Sequence, residues 1–173
     1  MAIKGYGYTK TTWAFQERPV ASSKLNQWDD RIEGALELAY LLLSLAWGGG
    51  NGVIRGAATD DLKVVAASPP ALSVKVKPGY GFISKFPYKL SAITDTTAVT
   101  PPTVHPRIDL VQARLDMWSI SVKAGTEAAS PSPPSTDADC IALGRLYLRP
   151  GMTSIKDADD SVNGYIIDVR TFL

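Results

Sequence analysis

The chain has 173 residues, 45% of them hydrophobic and 20% charged, which fits one globular domain with an appendage. Eighteen basic and seventeen acidic residues leave a net charge of +1, without the basic excess on which binders of duplexes, polyanions or anionic membranes depend. The single cysteine, Cys140, excludes an internal disulfide and a cysteine-only zinc site.

Residues 1–21 read as an extended docking arm. Gly5 and Gly7 flank Tyr6, while Thr9, Thr11, Thr12, Trp13 and Phe15 favour strand over helix, and Pro19 discourages a helix from running through. An arm this short cannot build its own core. Its aromatics Tyr6, Tyr8, Trp13 and Phe15 are therefore the expected docking anchors on another protein. The start has no apolar core of signal-peptide length, so export by the usual route is not expected.

Residues 22–47 predict a helix. Ser22, Ser23 and Asn26 are candidate N-caps, and Asp29 and Asp30 lie where the helix dipole favours negative charge. Leu25, Trp28, Ile32, Ala35, Ala39, Leu42 and Ala46 follow the alternating three- and four-residue spacing of a heptad seam. Past Ala35 the pattern is apolar nearly all round, which predicts burial on several sides. Glu37 and a length below ~20 apolar residues argue against a membrane span. The run Gly48-Gly49-Gly50-Asn51-Gly52 is expected to end the helix.

From residue 48 to 173 the period becomes that of strands. Leu62, Val64 and Val65 begin one, and Leu72, Val74 and Val76 alternate with Ser73, Lys75 and Lys77 in the next. Pro78-Gly79 reads as a turn before strands at 80–83 and 88–93. Residues 94–106 and 124–139 read as Pro-rich loops. Residues 108–116 and 117–123 read as a possible hairpin, 141–148 as a strand and 165–170 as a closing strand. The expected fold class is mainly β: an antiparallel sandwich or barrel-like domain, preceded by the extended arm and one long apolar helix.

Catalytic chemistry is not expected. His105 is the one histidine, and no Gly-x-Ser-x-Gly pattern accompanies it. Cys140 precedes an apolar strand and reads as a small buried hydrophobe. The glycine run leaves a helix, whereas a phosphate cradle precedes one and carries Gly-Lys-Ser/Thr. Asp157, Asp159 and Asp160 lack the spacing and terminal Glu of a calcium loop and read as a solvated turn. No catalytic, cofactor-binding or metal-binding residue is assigned, and no cofactor is expected.

A set of segments then recurs in a telling order. Pro106-Arg107-Ile108-Asp109-Leu110-Val111 places Arg107 and Asp109 on one strand face. Val122-Lys123-Ala124-Gly125-Thr126 leads into Ala128-Ala129-Ser130-Pro131 and Pro133-Pro134. Residues 141–148, then Pro150-Gly151-Met152-Thr153-Ser154-Ile155 and Ile166-Ile167-Asp168-Val169-Arg170, complete the set. With the upstream run 72–83, this order resembles a domain of tailed-bacteriophage virion proteins, notably baseplate and tail-fibre proteins, over about residues 62–170. Gly144-Arg145 departs from the small apolar residues more usual there.

The resemblance implies a virion structural protein, assembled in the host cytoplasm. It implies a homotrimeric baseplate or fibre attachment component that joins other tail or baseplate proteins. Nucleic acid and membrane are not expected partners. Family members that bind hosts continue into a receptor-binding tip; this sequence ends at Leu173, so direct receptor contact is not expected. The seven seam residues are the expected oligomerisation surface, with packing of the helix on the β-domain of its own chain as the alternative. Arg107, Asp109, Asp168 and Arg170 are expected to form a structural polar network. Two further readings stand beside this one: a capsid decoration or fibre protein, and a host-glycan-binding module using Trp118, Tyr80 and Tyr88 as stacking faces.

Overall fold

The computed structural model describes residues 22–46, 48–56 and 60–173. The chain divides into two compact units, Met1–Ala46 and Trp47–Leu173. The described part of the first is helix α1, Ser22–Ala46. Its sequence holds no proline and one β-branched residue, Ile32, amid Ala, Leu, Gln and Glu, the composition that loses least on becoming helical. Beyond it, Gly48 and Gly49 take positive φ of 80° and 74°, a left-handed conformation that L side chains resist.

The second unit is mainly β, with three sheets. β1 (Gly52–Ile54), β4 (Gly79–Ile83) and β5 (Phe86–Leu90) form one, in the order β1-β4-β5. β2 (Val64–Ala66), β3 (Val74–Val76) and β6 (Thr94–Asp95) form the second. The third has the order β10-β11-β9-β7-β8, from β7 (Arg107–Arg114), β8 (Ser119–Lys123), β9 (Cys140–Leu148), β10 (Ile155–Lys156) and β11 (Gly164–Asp168). Pairing is antiparallel except between β10 and β11. Each sheet keeps two edges, so the unit is not the closed barrel offered as one sequence alternative.

All three sheets feed one core. Val53, Ile83 and Tyr88 come from the first, Val64, Val74 and Val76 from the second, and Val111, Leu143, Leu146 and Leu148 from the third. Alternation explains the choice of side chain: Val74 and Val76 point in while Lys75 between them is half-buried. β7 is different, since Asp109 to Ala113 are all buried. A strand covered on both faces loses the polar alternation and reads as a near-continuous run.

Several boundaries differ from the sequence expectation, each for a local reason. Pro78-Gly79 is not a turn: Gly79 opens β4, where an added Cβ would stand 2.6 Å from the Leu62 nitrogen. The turn falls later, at Ser84 and Lys85, both at positive φ between the paired Ile83 and Phe86, the geometry of a two-residue primed hairpin. Asn51 Oδ1 accepts the Ser84 amide hydrogen at 2.8 Å. Residues 116–118 form a 3-10 turn instead of extending the strand, with Trp118 at φ 48°. β6 lies inside the expected 94–106 loop, and β10 was not expected at all.

Gly144-Arg145, unusual in sequence, has a packing reason. Val111 pairs with Gly144 and Gln112 with Ala142, so Leu143 is the extra residue of a β-bulge. At Gly144 a Cβ would come within 2.9 Å of Val64 Cγ2. The missing side chain admits the second sheet, and Arg145 is exposed.

Candidate functional site

The expected four-residue polar network resolves into two separate pairs. Arg107 donates to Asp109 through Nε at 2.7 Å and Nη2 at 3.0 Å, and through Nη2 to the Thr100 carbonyl. Asp109 Oδ1 also accepts the Gly125 amide hydrogen at 2.9 Å. Asp109 is 1% exposed, and its charge has both a bidentate cation and a backbone donor. This pair ties β7 to Thr100, midway along the first long loop, and to the start of the second. Arg170 and Asp168 form the second pair at the chain end, with Arg170 donating to the Asp61 carbonyl as well. The Arg170 guanidinium holds the Asp168 carboxyl below its usual range.

Neighbouring carboxylates extend the first anchor. Glu127 accepts backbone hydrogens from Thr103, Val104 and His105, which lowers its carboxyl below its usual range. Asp137 accepts from Lys123 and Gln112, and its own amide donates back to Gln112 Oε1. The lysine first, then the glutamine, lowers the Asp137 carboxyl. The segment 124–139 is therefore bonded to β7 and β8 at Gly125, Ser135 and Asp137, while 96–106 is held by Arg107 at Thr100 and by Glu127 at Thr103 to His105. Backbone polar groups without a regular ladder find side-chain partners instead.

The acidic stretch 157–160 is a third anchor. Arg149 lies over the rings of Tyr147 and Tyr165, 5.1 and 5.2 Å from their centroids, and donates to Asp159 and to the Asn163 carbonyl. Asp160 accepts from the Asn163 side chain and from the backbone of Asn163 and Val162, which lowers its carboxyl to about 2. Asp157 accepts the Ala66 amide hydrogen. Among the described residues no group of three His, Cys, Asp or Glu side chains is placed to hold a metal ion.

The remaining candidates separate by exposure. Tyr6, Tyr8, Trp13 and Phe15, the expected docking anchors, lie outside the described residues. The seam residues Leu25, Trp28, Ile32, Ala35, Ala39, Leu42 and Ala46 are all exposed. Of the aromatics considered as stacking faces, Tyr80 and Trp118 are exposed, but Tyr88 is fully buried. Its hydroxyl donates to the Ser119 carbonyl, and burial pushes it well above the usual phenol range, so it stays neutral. Cys140 is buried, and desolvation raises its thiol.

Sequence reasoning missed Gly125, Glu127, Asp137 and Arg149. Gly125 carried a signal in hindsight, since it stands in the Lys-x-Gly-Thr step. The other three bond to positions 10–25 residues away, which no local pattern encodes. None of these groups juxtaposes a nucleophile with a base; each carboxylate is occupied by donors that fix a loop. No family model, no curated protein and no solved structure matches the chain.

Proposed function

We propose that the chain is a non-enzymatic virion structural protein, a trimeric baseplate or fibre attachment component that joins other virion proteins. The observation that carries the reading is the exposed heptad seam of α1. Leu25, Ile32 and Leu42 are 46, 54 and 58% exposed along one helical stripe. Such a stripe is stable in water when other helices cover it. The resemblance of the motif order to that of tailed-phage proteins supplies the setting, a tail or baseplate assembled in the host cytoplasm.

In this reading the three sheets act as a sandwich-like body, the long apolar helix trimerises it, and residues 1–21 dock on a neighbouring protein. The anchors then serve rigidity: Asp109 holds the second long loop on β7, Glu127 ties the two long loops together, and Asp160 closes the turn at 160–163. Sedimentation equilibrium tests the oligomer. A trimer mass is expected, and a monomer across the micromolar range overturns the assembly reading. Removing residues 1–20 is expected to abolish incorporation into particles while leaving the folded unit 47–173 intact.

A second reading, a host-glycan-binding module, has one observation in its favour, the exposure of Tyr80 and Trp118. Glycan-array binding that is lost in Tyr80→Ala and Trp118→Ala would favour it.

A further inference from the structure

Each of the three sheets has two edges, and all but one of these edges are covered, broken by proline or very short. The chain end covers the outer edge of β1 through Val53. The tight Ile83–Phe86 turn leaves the backbone of Pro87 and Lys89 facing outward on β5, so that edge offers a missing donor and a charge. β2 gives the Ala66 amide hydrogen to Asp157, and β10 gives the Ile155 amide hydrogen to the Ala71 carbonyl. β6 is only Thr94–Asp95. Covers, prolines, charges and short strands are the means by which proteins stop sheet edges from pairing with other chains.

β8 uses none of these means. Ser119–Lys123 is five residues long and holds no proline. Its one charge is turned aside, since the Lys123 ammonium bonds to Asp137 and to the Ser135 carbonyl. The direction of its backbone groups follows from β7. Leu115 donates to the Asp139 carbonyl on the β9 side, so Ala113 faces β9 as well, and Gln112 and Arg114 face β8. Gln112 pairs with Ser121 and Arg114 with Ser119. Ile120 and Val122 therefore turn their N–H and C=O groups away from β7. Among the described residues nothing bonds to them on that side.

We propose that β8 pairs antiparallel with β8 of a second copy, about a twofold axis at Ser121. The strand is its own complement in that register, because it alternates polar and apolar symmetrically about Ser121. Ile120 of each copy stands opposite Val122 of the other, and the two pairs satisfy all the outward backbone groups of both residues. Both side chains pack on the core of their own copy, so the apolar row runs on from one copy to the next. Ser121 stands opposite itself in a non-hydrogen-bonded pair, where side chains come closest. Its Oγ is buried without a hydrogen-bond partner. Rotation about the Cα–Cβ bond brings it to the hydroxyl of the other copy, a cross-strand serine pair. Trp118, 48% exposed, falls opposite Ala124 of the other copy. A contact one strand wide is smaller than the ~800 Å² per partner of a stable interface. It is weak alone and gains strength where copies are held side by side in an assembly. The pairing goes beyond the trimer reading and does not rest on it, since β8 and α1 belong to different units.

Crosslinking and sedimentation of the full-length chain test the pairing. In Ser121→Cys the two thiols stand opposite each other, with Cα atoms about 4.5 Å apart and within disulfide reach. In Ser119→Cys the same positions stand about 14 Å apart, out of reach. Under mild oxidation at high protein concentration, Ser121→Cys is expected to run as a disulfide-linked dimer on a denaturing gel. Ser119→Cys and the parent chain, whose Cys140 is buried, are expected to run as monomers. Above the micromolar range the mass of the parent chain should rise towards twice its dilute value, whatever that value is. Val122→Pro removes an outward N–H and no bond to β7, so it should keep its circular dichroism and stay at the dilute mass. If that variant unfolds, Ser121→Lys sets like charges opposite each other and should hold the mass down in the same way. Equal linkage at both positions, no linkage at 121, or a mass indifferent to both variants overturns the pairing of copies and leaves a strand of another protein as the occupant of the edge.

Discussion

Arg107 and Asp109 stand two residues apart on β7 and grip each other through two hydrogen bonds, with the Gly125 amide as a third member. The side chains are 15 and 2% exposed, so the pair is largely taken out of water. Removing one partner of such a pair strands the other charge. Asp109→Ala is expected to cost about 3–5 kcal/mol in urea unfolding. The double change Arg107→Leu with Asp109→Leu should cost clearly less, because it buries no stranded charge. Equal losses in the single and double variants would mean that the pair is a net stabiliser and not only a mutual requirement.

Gly125 tests the same anchor from the backbone side. A Cβ there would collide with the Ile108 carbonyl oxygen, a contact that backbone must move to relieve. Gly125→Ala is expected to cost about 1–3 kcal/mol. It should also weaken protection of the Gly125-side amide hydrogen at Asp109, read by hydrogen exchange. A neutral outcome would show that the loop start can shift without disturbing β7.

The legible parts of this fold are those whose cause is local. Val74 and Val76 announce a half-buried strand by alternation, and Arg107 and Asp109 announce a shared face by their spacing. Asp168 and Arg170 do the same, but nothing local says that these two pairs remain separate. The two-residue strands β6 and β10 exist only through their partners, so no pattern marks them. The Ser84-Lys85 turn lacks the Asn or Gly that signals a primed hairpin. Tyr80 and Tyr88 illustrate the limit of period two. Tyr88 pairs with Gly81 and Tyr80 with Lys89, so the tyrosines take opposite faces, and which face is buried depends on the other sheets.

Acid should loosen the loop anchors together. Asp160 falls from an ordinary 3.8 to about 2, and Glu127, Asp137, Asp159 and Asp168 are also lowered by the donors that hold them. A carboxyl depressed in the folded state stabilises it above the unfolded value and stops doing so as pH falls through the folded one. For Asp160 the loss runs between about pH 4 and about pH 2. Thermal melts should therefore be level from neutral pH to near pH 5 and fall steeply below pH 4. Asp160→Ala should melt lower at neutral pH and show a shallower acid limb. An unchanged limb would assign the acid loss to the other carboxylates.

The chain end closes the β-rich unit by clasping its beginning. Val53 donates to the Thr171 carbonyl and accepts from the Leu173 amide, a parallel contact on the edge of β1 away from β4. The guanidinium groups of Arg55 and Arg170 both lie over the Phe172 ring, 4.7 and 5.0 Å from its centroid. Gly52 makes the approach possible, since a Cβ there would meet the Thr171 oxygen at 2.7 Å. Phe172→Ala is expected to cost about 1–3 kcal/mol through lost burial and both cation–π contacts. Gly52→Ala should cost about the same by pushing the last residues off the edge. Because both changes release one clasp, the double variant should lose less than the sum of the two. The Val53 amide, fully buried in the intact clasp, should lose hydrogen-exchange protection in either single variant. Additive losses with Val53 still protected would mean that the chain end rests on β1 without holding it.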